Sequence, residues 1–286
     1  MDRSDIIKDR INSAIEQAQT PYFPNSISPT VVLHDCKRHV LLTHIWAAPY
    51  KFHYNAKQLR VFALGSILEN YITDSIKLAA FKLDTIENEQ QISYYRYNKH
   101  VHGKIDGIIT IANEKHIVEV KTLKDNIFQL LKKKKLKLAI NRYYLQIQLY
   151  LHYFKMNSAY LIAYNKNDSE IYIENIIYDK TSITKLINNT YALRNKITNA
   201  TVKKFKKVNP KEPKEPCKRF GGCPFKDICF SIEHVYKSCR SCIHATKSKD
   251  KKHPGEWFCE SKNIFLNLED QKTKANKCLS YKPLEL

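Results

Sequence analysis

Long apolar runs are missing from this chain of 286 residues. No stretch approaches the roughly 18 consecutive apolar residues that a membrane-spanning helix needs. The first residues, MDRSDIIKDR, are charged and contain no apolar signal segment. The lack of a membrane-spanning run and of a signal segment predicts a cytoplasmic protein without membrane contact, in the host cytoplasm if its source is viral. No internal repeat is evident either.

Acidic residues are scarce: 28 Asp and Glu stand against 48 Lys and Arg, which gives a formal net charge of +20. That excess favours an anionic partner, most commonly nucleic acid, although an AT-rich genome would raise the lysine content whatever the function. The lysines cluster in KKKKLK (132–137), KKFKKVNPK (203–211) and KSKDKK (247–252). Each cluster could contact phosphates without reading bases, or could be an ordinary solvated face.

Apolar periodicity and turn residues predict an α/β (α+β) fold. A hydrophobic content of 43% supports a packed core. Helices are predicted over 1–18, from Ser28-Pro29 onward, and over 57–81, 138–155 and 180–200, and strands over 92–97, 100–111, 115–122, 158–165 and 170–178. A tight turn is predicted at Asn113-Glu114.

Two carboxylates and a lysine are predicted to meet at the end of a hairpin. In the strand IVEVK, a period of two places Glu119 and Lys121 on one face while Val120 points away. Reflecting the chain about a turn near residue 113 places Asp106 opposite Val120. This group suits metal-assisted phosphodiester hydrolysis, because Mg²⁺ prefers carboxylate oxygens and a lysine can orient water or stabilise charge. A surface ion pair on a two-stranded ribbon is the alternative.

Two further pairs share helix faces at a spacing of four. They are Gly65 with Glu69 in GSILE, and Gln146 with Tyr150 in LQIQLY. Each pair alone is weak, since Glu69 could be a solvated carboxylate and Tyr150 a core aromatic residue. Their order along the chain, together with the hairpin, is far more specific than any one of them.

In this order, GSILE (65–69), GKIDG (103–107), EVK (119–121) and Q-x-x-x-Y (146–150) resemble the motifs of the PD-(D/E)XK nuclease superfamily. The likeness is to its RecB-type iron–sulfur branch, which includes the AddB nuclease domain and CRISPR-associated RecB-like exonucleases. It covers roughly residues 26–230. It implies a restriction-endonuclease-like core, in which helices flank a mixed central sheet.

The resemblance also implies roles for the site residues. Asp106 and Glu119 would bind Mg²⁺ or Mn²⁺ together with the Val120 carbonyl, and Lys121 would be the catalytic lysine. Glu69 stands where many relatives have histidine, so it would bind the metal either directly or through water. A companion pair, Gln146 and Tyr150, would contact DNA or support the site.

Eight cysteines in a reducing compartment indicate metal ligands before disulfides. Cys217, Cys223 and Cys229 form C-x5-C-x5-C, while Cys36 lies far upstream. From chemistry alone these thiolates could hold Zn²⁺, or Cys36 could be a buried free thiol. The resemblance implies a structural 4Fe-4S cluster on all four.

The remaining cysteines predict a zinc-ribbon-like module. Its ligands would be Cys239, Cys242, Cys259 and Cys278, spaced C-x2-C-x16-C-x18-C. Two histidines, His244 and His253, are alternative ligands, although ordinary exposed histidines are commoner. The module could grip DNA or a protein, or could be a structural cap.

The predicted order of domains follows from these motifs. It comprises an N-terminal helical extension (1–25), the nuclease core (26–202), a basic proline-containing linker (203–216), an iron–sulfur segment closed by Cys36 (217–235) and the zinc-ribbon-like module (236–286).

The function that the resemblance implies is a metal-dependent deoxyribonuclease. An exonuclease that processes DNA ends or single strands in recombination, repair or replication is the first expectation. A structure-specific endonuclease, a catalytically silent DNA-binding or assembly factor, and a zinc-module adaptor are the alternatives. No Walker loop occurs in the sequence, so unwinding would need a partner such as a helicase, and a recombinase or single-strand-binding protein could also act with it. The small architecture would suit a phage.

Overall fold

The computed structural model describes residues 2–51, 54–79, 82–84, 92–190, 223–230 and 233–284. Its helices are α1 (Arg3–Gln17), α2 (Pro29–Val32), α3 (Lys37–His44), α4 (Ala56–Leu78), α5 (Asp125–Ala139), α6 (Asn141–Phe154), α7 (Lys180–Asn189), α8 (Lys226–Cys229) and α9 (Leu268–Thr273). Its strands are β1 (Lys82–Asp84), β2 (Ile92–Arg96), β3 (Val101–Ile105), β4 (Gly107–Ile111), β5 (Glu114–Leu123), β6 (Ser158–Asn165), β7 (Ile171–Ile177), β8 (Ala245–Lys247), β9 (Trp257–Cys259) and β10 (Ile264–Leu266). No helix in these ranges is long and apolar enough to cross a membrane.

Two compact units make up the chain. The sheet unit comprises residues 1–17, 54–94 and 103–187, and the cysteine unit comprises 18–53, 95–102 and 188–286. Segment 18–53 thus belongs with the cysteine-rich tail, whereas the predicted order joined only Cys36 to that tail. The predicted linker and the end of the predicted helix over 180–200 lie outside the described residues. The predicted domain boundaries therefore stay a prediction.

A five-stranded mixed sheet forms the centre of the sheet unit, in the order β1-β4-β5-β6-β7. Strands β5 and β6 are parallel, and their other neighbours are antiparallel. The alternation along β5 explains how the sheet is covered. Val118 and Val120 pack with Ile72 and Ile76 of α4, whereas the opposite face packs with apolar residues of α5 and α6. The predicted α/β fold, with a mixed sheet flanked by helices and a small cysteine-rich region at the C-terminal end, is confirmed.

The hairpin between β4 and β5 turns one residue earlier than predicted. Ala112 and Asn113, with φ of 49° and 66°, form the turn, and Ile111 pairs with Glu114. A two-residue turn with positive φ at both positions matches the twist of the strands. The prediction of Asn113-Glu114 was therefore wrong by one residue, and Asp106 follows the register toward Glu119.

The KKKKLK cluster lies within a helix that the sequence did not predict. Phe128 and Leu131 anchor α5 in the core. Lys135 interrupts the helix with a φ of 62°. Beyond that break, the Glu174 carboxylate accepts the Leu136 N–H at 3.1 and 3.2 Å, so the freed backbone donor is satisfied.

Within the cysteine unit, one buried side chain connects distant segments. Arg240, fully buried, lies over the rings of Trp46 and Trp257, with its guanidinium carbon 3.8 and 5.2 Å from their centres. Its nitrogens donate to the carbonyls of Pro24 and Asn25 at 3.1 Å. These contacts fix the loop between two tail cysteines against segment 18–53, beside the antiparallel sheet of order β10-β9-β8.

Candidate active site

The structure brings the predicted site residues of the sheet unit together. Asp106 lies between β3 and β4, while Glu119 and Lys121 lie within β5. Glu69 comes from α4, and the predicted supporting pair Gln146 and Tyr150 comes from α6.

Asp106 is fixed against the neighbouring strand. Its Oδ2 accepts the backbone N–H of Val120 at 2.7 Å, and the residue is buried. The predicted neighbourhood of Asp106 and Val120 is therefore present, although through the backbone of β5. Because the position falls between two strands, its side chain can face the charged residues of β5.

Glu119 and Lys121 form an ion pair, in which the Lys121 Nζ donates to Glu119 Oε1. The same nitrogen donates to the Val120 carbonyl at 3.0 Å. The Glu119 side chain is 3% exposed and that of Lys121 22% exposed. The carboxylate is thus inside, and its lysine partner reaches toward solvent.

Burial and charge shift both pKa values. Burial raises the pKa of Glu119 to about 8; Lys121 opposes this shift, while Asp106 and Glu69 add to it. Burial disfavours the charge on Lys121, but the Glu119 and Asp106 carboxylates outweigh it and raise the pKa of the lysine. Lys121 is consequently a cation at any pH of interest, and Glu119 needs positive charge nearby to ionise fully.

Gln146 and Tyr150 attach α6 to this carboxylate. The Gln146 Nε2 lies 3.3 Å from Glu119 Oε1 and 2.6 Å from the Tyr150 hydroxyl. Both side chains are buried. Of the two predicted roles, this geometry favours support of the site over contact with DNA.

A divalent cation fits the donor set. Glu119 Oε2 is buried and has no hydrogen-bond partner among the described residues, and a buried carboxylate oxygen without a partner is costly. The charges of Asp106 and Glu69 act on the same carboxylate. The two carboxylates of Asp106 and Glu119 suit Mg²⁺, which binds one or two carboxylates and keeps several waters. Among the described residues, neither the carboxylates nor the cysteines form a group of three or more side chains arranged to hold a metal ion.

Tyr143 is a site residue that the sequence analysis missed. Its ring centre lies 5.5 Å from the Lys121 Nζ, a cation–π distance. The spacing of Tyr143, Gln146 and Tyr150 places all three on one face of α6, and this spacing could have revealed Tyr143.

Gly65, which shares a helix face with Glu69, could accommodate a side chain. A Cβ at this position would meet Thr122 Oγ1 at 3.7 Å, which is an ordinary contact.

Two of the predicted iron–sulfur ligands contact the helix that follows a third. Cys36 is the N-cap of α3. In the first turn of that helix, Arg38 Nε donates to Cys229 Sγ at 3.4 Å, and His39 Nδ1 lies 3.7 Å from Cys223 Sγ. Cys223 and Cys229 therefore lie beside the first turn of the helix that Cys36 begins.

Cys217, the fourth predicted ligand, lies outside the described residues.

The four tail cysteines line the same small cavity. A cavity of about 20 Å³ is lined by Cys239, Cys242, Cys259 and Cys278, and also by His244. Burial raises the pKa of Cys239 to about 12, and the other three thiols add to the shift. A cation in the cavity would relieve this cost. His253 instead stacks on Phe265 and lies 2.9 Å from Glu256.

Comparisons with known proteins give only distant likenesses. The crystal structure of SSO0001 matches with a TM-score of 0.42 and 18% identity, over 66% of this chain and 86% of that chain. The alkaline exonuclease LHK-Exo from Laribacter hongkongensis matches with a TM-score of 0.40 and 11% identity, over 66% of this chain and 91% of that one. Its complex with dAMP gives 0.40 and 11%, over 60% and 87%. Neither a protein-family model nor a curated protein sequence matches. At these distances the likenesses carry no conclusion about function.

Proposed function

We propose that this protein is a metal-dependent DNA nuclease. The observation that supports this most is the buried Glu119 carboxylate. One of its oxygens lacks a partner among the described residues, and Asp106 and Lys121 act on it electrostatically. A purely structural ion pair has no need of a second and a third carboxylate that oppose its ionisation.

The residues divide the work of phosphodiester hydrolysis among them. When bound, a divalent cation makes water a better nucleophile and shields the charge that builds on phosphorus. Asp106 and Glu119 would hold that cation, with the Val120 carbonyl as a further oxygen ligand and Glu69 acting directly or through water. The Lys121 ammonium would orient the attacking water and stabilise the developing negative charge.

We favour an exonuclease acting on DNA ends or single strands. The net charge of +20 suits a phosphate backbone, and the sequence contains no recognisable base-reading helix. A structure-specific endonuclease and a catalytically silent DNA-binding factor are the rival functions. A helicase, recombinase or single-strand-binding partner stays a prediction.

End-labelled linear DNA and covalently closed DNA, both single- and double-stranded, provide the test. Protein purified without oxygen is incubated with Mg²⁺ or Mn²⁺, beside Lys121→Ala. The matched control is Lys77→Ala, which removes an exposed lysine of α4 that is paired with Asp74 and lies outside the lysine clusters. We expect metal-dependent loss of linear DNA that falls at least about 100-fold in Lys121→Ala and persists in Lys77→Ala.

The closed substrates separate the rivals. Cleavage of closed circles would replace the exonuclease by an endonuclease. Metal-loaded protein that binds DNA and cuts none would overturn the nuclease proposal in favour of a scaffold.

We further propose that both cysteine sets hold metal. Cys36, Cys217, Cys223 and Cys229 would bind a structural 4Fe-4S cluster, and Cys239, Cys242, Cys259 and Cys278 one Zn²⁺. Elemental analysis and visible absorption of anaerobically purified protein test both. Cys223→Ser should be insoluble or colourless; a soluble, brown and fully active variant would contradict the cluster. Cys259→Ser should lose the zinc alone.

A further inference from the structure

The hairpin tip of β2 and β3, residues 95–102, has an unusual backbone. Three consecutive residues, Tyr97, Asn98 and Lys99, adopt left-handed conformations with φ of 52°, 52° and 64°. Residues other than glycine rarely do so even singly. A run of three persists only where surrounding contacts determine it.

Those contacts come from residues 248–255, here called the lysine loop, in the same unit. The Asn98 side-chain amide lies 3.0 Å from the carbonyls of Ser248 and Asp250 and 3.4 Å from that of His253. Gly255 N–H donates to the Asn98 carbonyl at 2.7 Å. The tip and the loop are therefore held together as one rigid surface.

The loop itself exposes charge. Lys249, Lys251 and Lys252 are exposed, as is Lys99 of the tip. The Asp250 carboxylate accepts the backbone N–H of Lys252 at 2.9 Å, so it shapes the loop. Four cationic side chains thus project from a fixed backbone. Within the KSKDKK cluster, only Lys249, Lys251 and Lys252 expose their charge in this way.

Lys247, the first lysine of that cluster, is buried at 6% exposure. The expectation that the whole KSKDKK cluster contacts phosphates is therefore wrong for this residue.

An aromatic ring stands beside these charges. Tyr95 is 46% exposed. It stacks on His102, with ring centres 4.5 Å apart and planes within 8°. The Lys99 ammonium lies 5.5 Å from its centre. His102 therefore covers one face of the Tyr95 ring and fixes the orientation of that ring, as a platform for base stacking requires.

We propose that the hairpin tip and the lysine loop form a binding surface for single-stranded DNA. Exposed lysines neutralise phosphates, and an aromatic platform stacks on an unpaired base, which a duplex does not offer. The inference rests on the proposed function only for the choice of DNA over RNA. It needs no cleavage, because the surface belongs to the cysteine unit and its contacts are complete within that unit.

Equilibrium binding of labelled oligo-dT to the full-length protein, followed by fluorescence anisotropy, is the test. The buffer lacks divalent cations, so that cleavage cannot interfere, and the salt concentration is varied. The charge variant is Lys249→Gln, Lys251→Gln and Lys252→Gln. Its matched control removes the same charge from exposed lysines elsewhere in the unit, as Lys274→Gln, Lys277→Gln and Lys282→Gln.

The two components of the surface have different signatures. The charge variant should lower the slope of log Kd against log salt by about 2, since each phosphate contact to a single strand contributes about 0.7. The control triple should keep the slope. Tyr95→Ala should weaken binding about fivefold to a hundredfold with little change of slope. Tyr95→Phe keeps the ring and should bind as tightly as the parent protein.

Several outcomes would overturn the proposal. They are equal slopes for the two triples, unchanged affinity of Tyr95→Ala, and binding of duplex DNA as tight as that of oligo-dT. Equal response of oligo-U would overturn the choice of DNA. Thermal unfolding of each variant confirms that it is folded. If no cleavage is ever found but these shifts occur, the nuclease proposal fails and the surface stands.

Discussion

Single side chains show how much the site depends on its neighbours. The fold places Glu119 where burial raises its pKa to about 8, and it supplies one cation, Lys121, that is bonded to a single oxygen of the carboxylate. A metal ion would compete with a proton for the other oxygen, so metal loading should release protons near neutral pH. Because Lys121 is bonded to only one oxygen of Glu119, its position decides which oxygen stays available to the metal.

We expect the ring of Tyr143, which lies 5.5 Å from the Lys121 Nζ, to hold this lysine in place. Replacing it by Leu should lower kcat about twofold to thirtyfold at nearly constant KM, because a cation–π contact contributes roughly 0.5–2 kcal/mol. Tyr143→Phe keeps the ring and should stay close to the parent protein. Steady-state cleavage of linear DNA measures both constants. If Phe and Leu behave alike, the ring does not position Lys121.

At the scale of elements, two glycines make opposite demands. A Cβ at Gly103 on β3 would overlap the ring of Tyr94, whereas Gly65 within α4 faces ordinary contact space. Gly103→Ala should therefore destabilise the protein by about 1–3 kcal/mol through overpacking. Gly65→Ala should stabilise it by about 0.5–1 kcal/mol, because alanine loses less entropy in a helix. Chemical denaturation measures both.

A second background separates the clash from other causes. In Tyr94→Leu protein, Gly103→Ala should cost much less, since the overlapping ring is gone. An undiminished cost would place the effect in the backbone of β3. A loss of stability in Gly65→Ala would show that a Cβ at this position of α4 meets its neighbours at less than the expected 3.7 Å.

Elements with a local signal were predictable from the sequence. The period of two in β5 and the i,i+4 spacing in α4 and α6 indicated the residues that the structure brings together. The tight turn was misplaced because the sequence offered Asn113, and pairing on either side of it satisfies the apolar pattern almost equally well. Helix α5 was missed because its lysines hide a sparse apolar stripe. Long-range contacts, such as Arg240 with Trp46, have no local signal at all.

At the scale of the whole molecule, the cysteine unit buries basic groups together. Burial lowers the pKa of His100 to about 3 and that of His44 well below its usual value, and the charges of Lys247 and Arg240 add to both shifts. Each histidine thus binds fewer protons in the folded than in the unfolded state. Stability should therefore fall as the pH drops below 6.5, by up to roughly 1.4 kcal/mol per pH unit for each histidine, and for His100 the fall continues toward pH 3.

Tryptophan fluorescence can follow this loss selectively, because the chain has two tryptophans and both, Trp46 and Trp257, lie in the cysteine unit. Denaturation monitored by their emission should shift to lower denaturant as the pH falls below 6.5. His100→Gln should flatten part of that dependence. A variant with the parent protein's pH dependence would show that His100 is not buried as a neutral ring.

The path of the chain through the cysteine unit has a consequence for synthesis. The sheet unit is complete once residue 187 has been made, whereas the carbonyl of His44 meets the Arg240 side chain across 196 residues of sequence. At ribosomal speeds of about 5–20 residues per second, the apolar segment around Trp46 waits roughly 10–40 s for its partners. During that interval its apolar surface is exposed, so we expect the yield of folded protein to depend on chaperones.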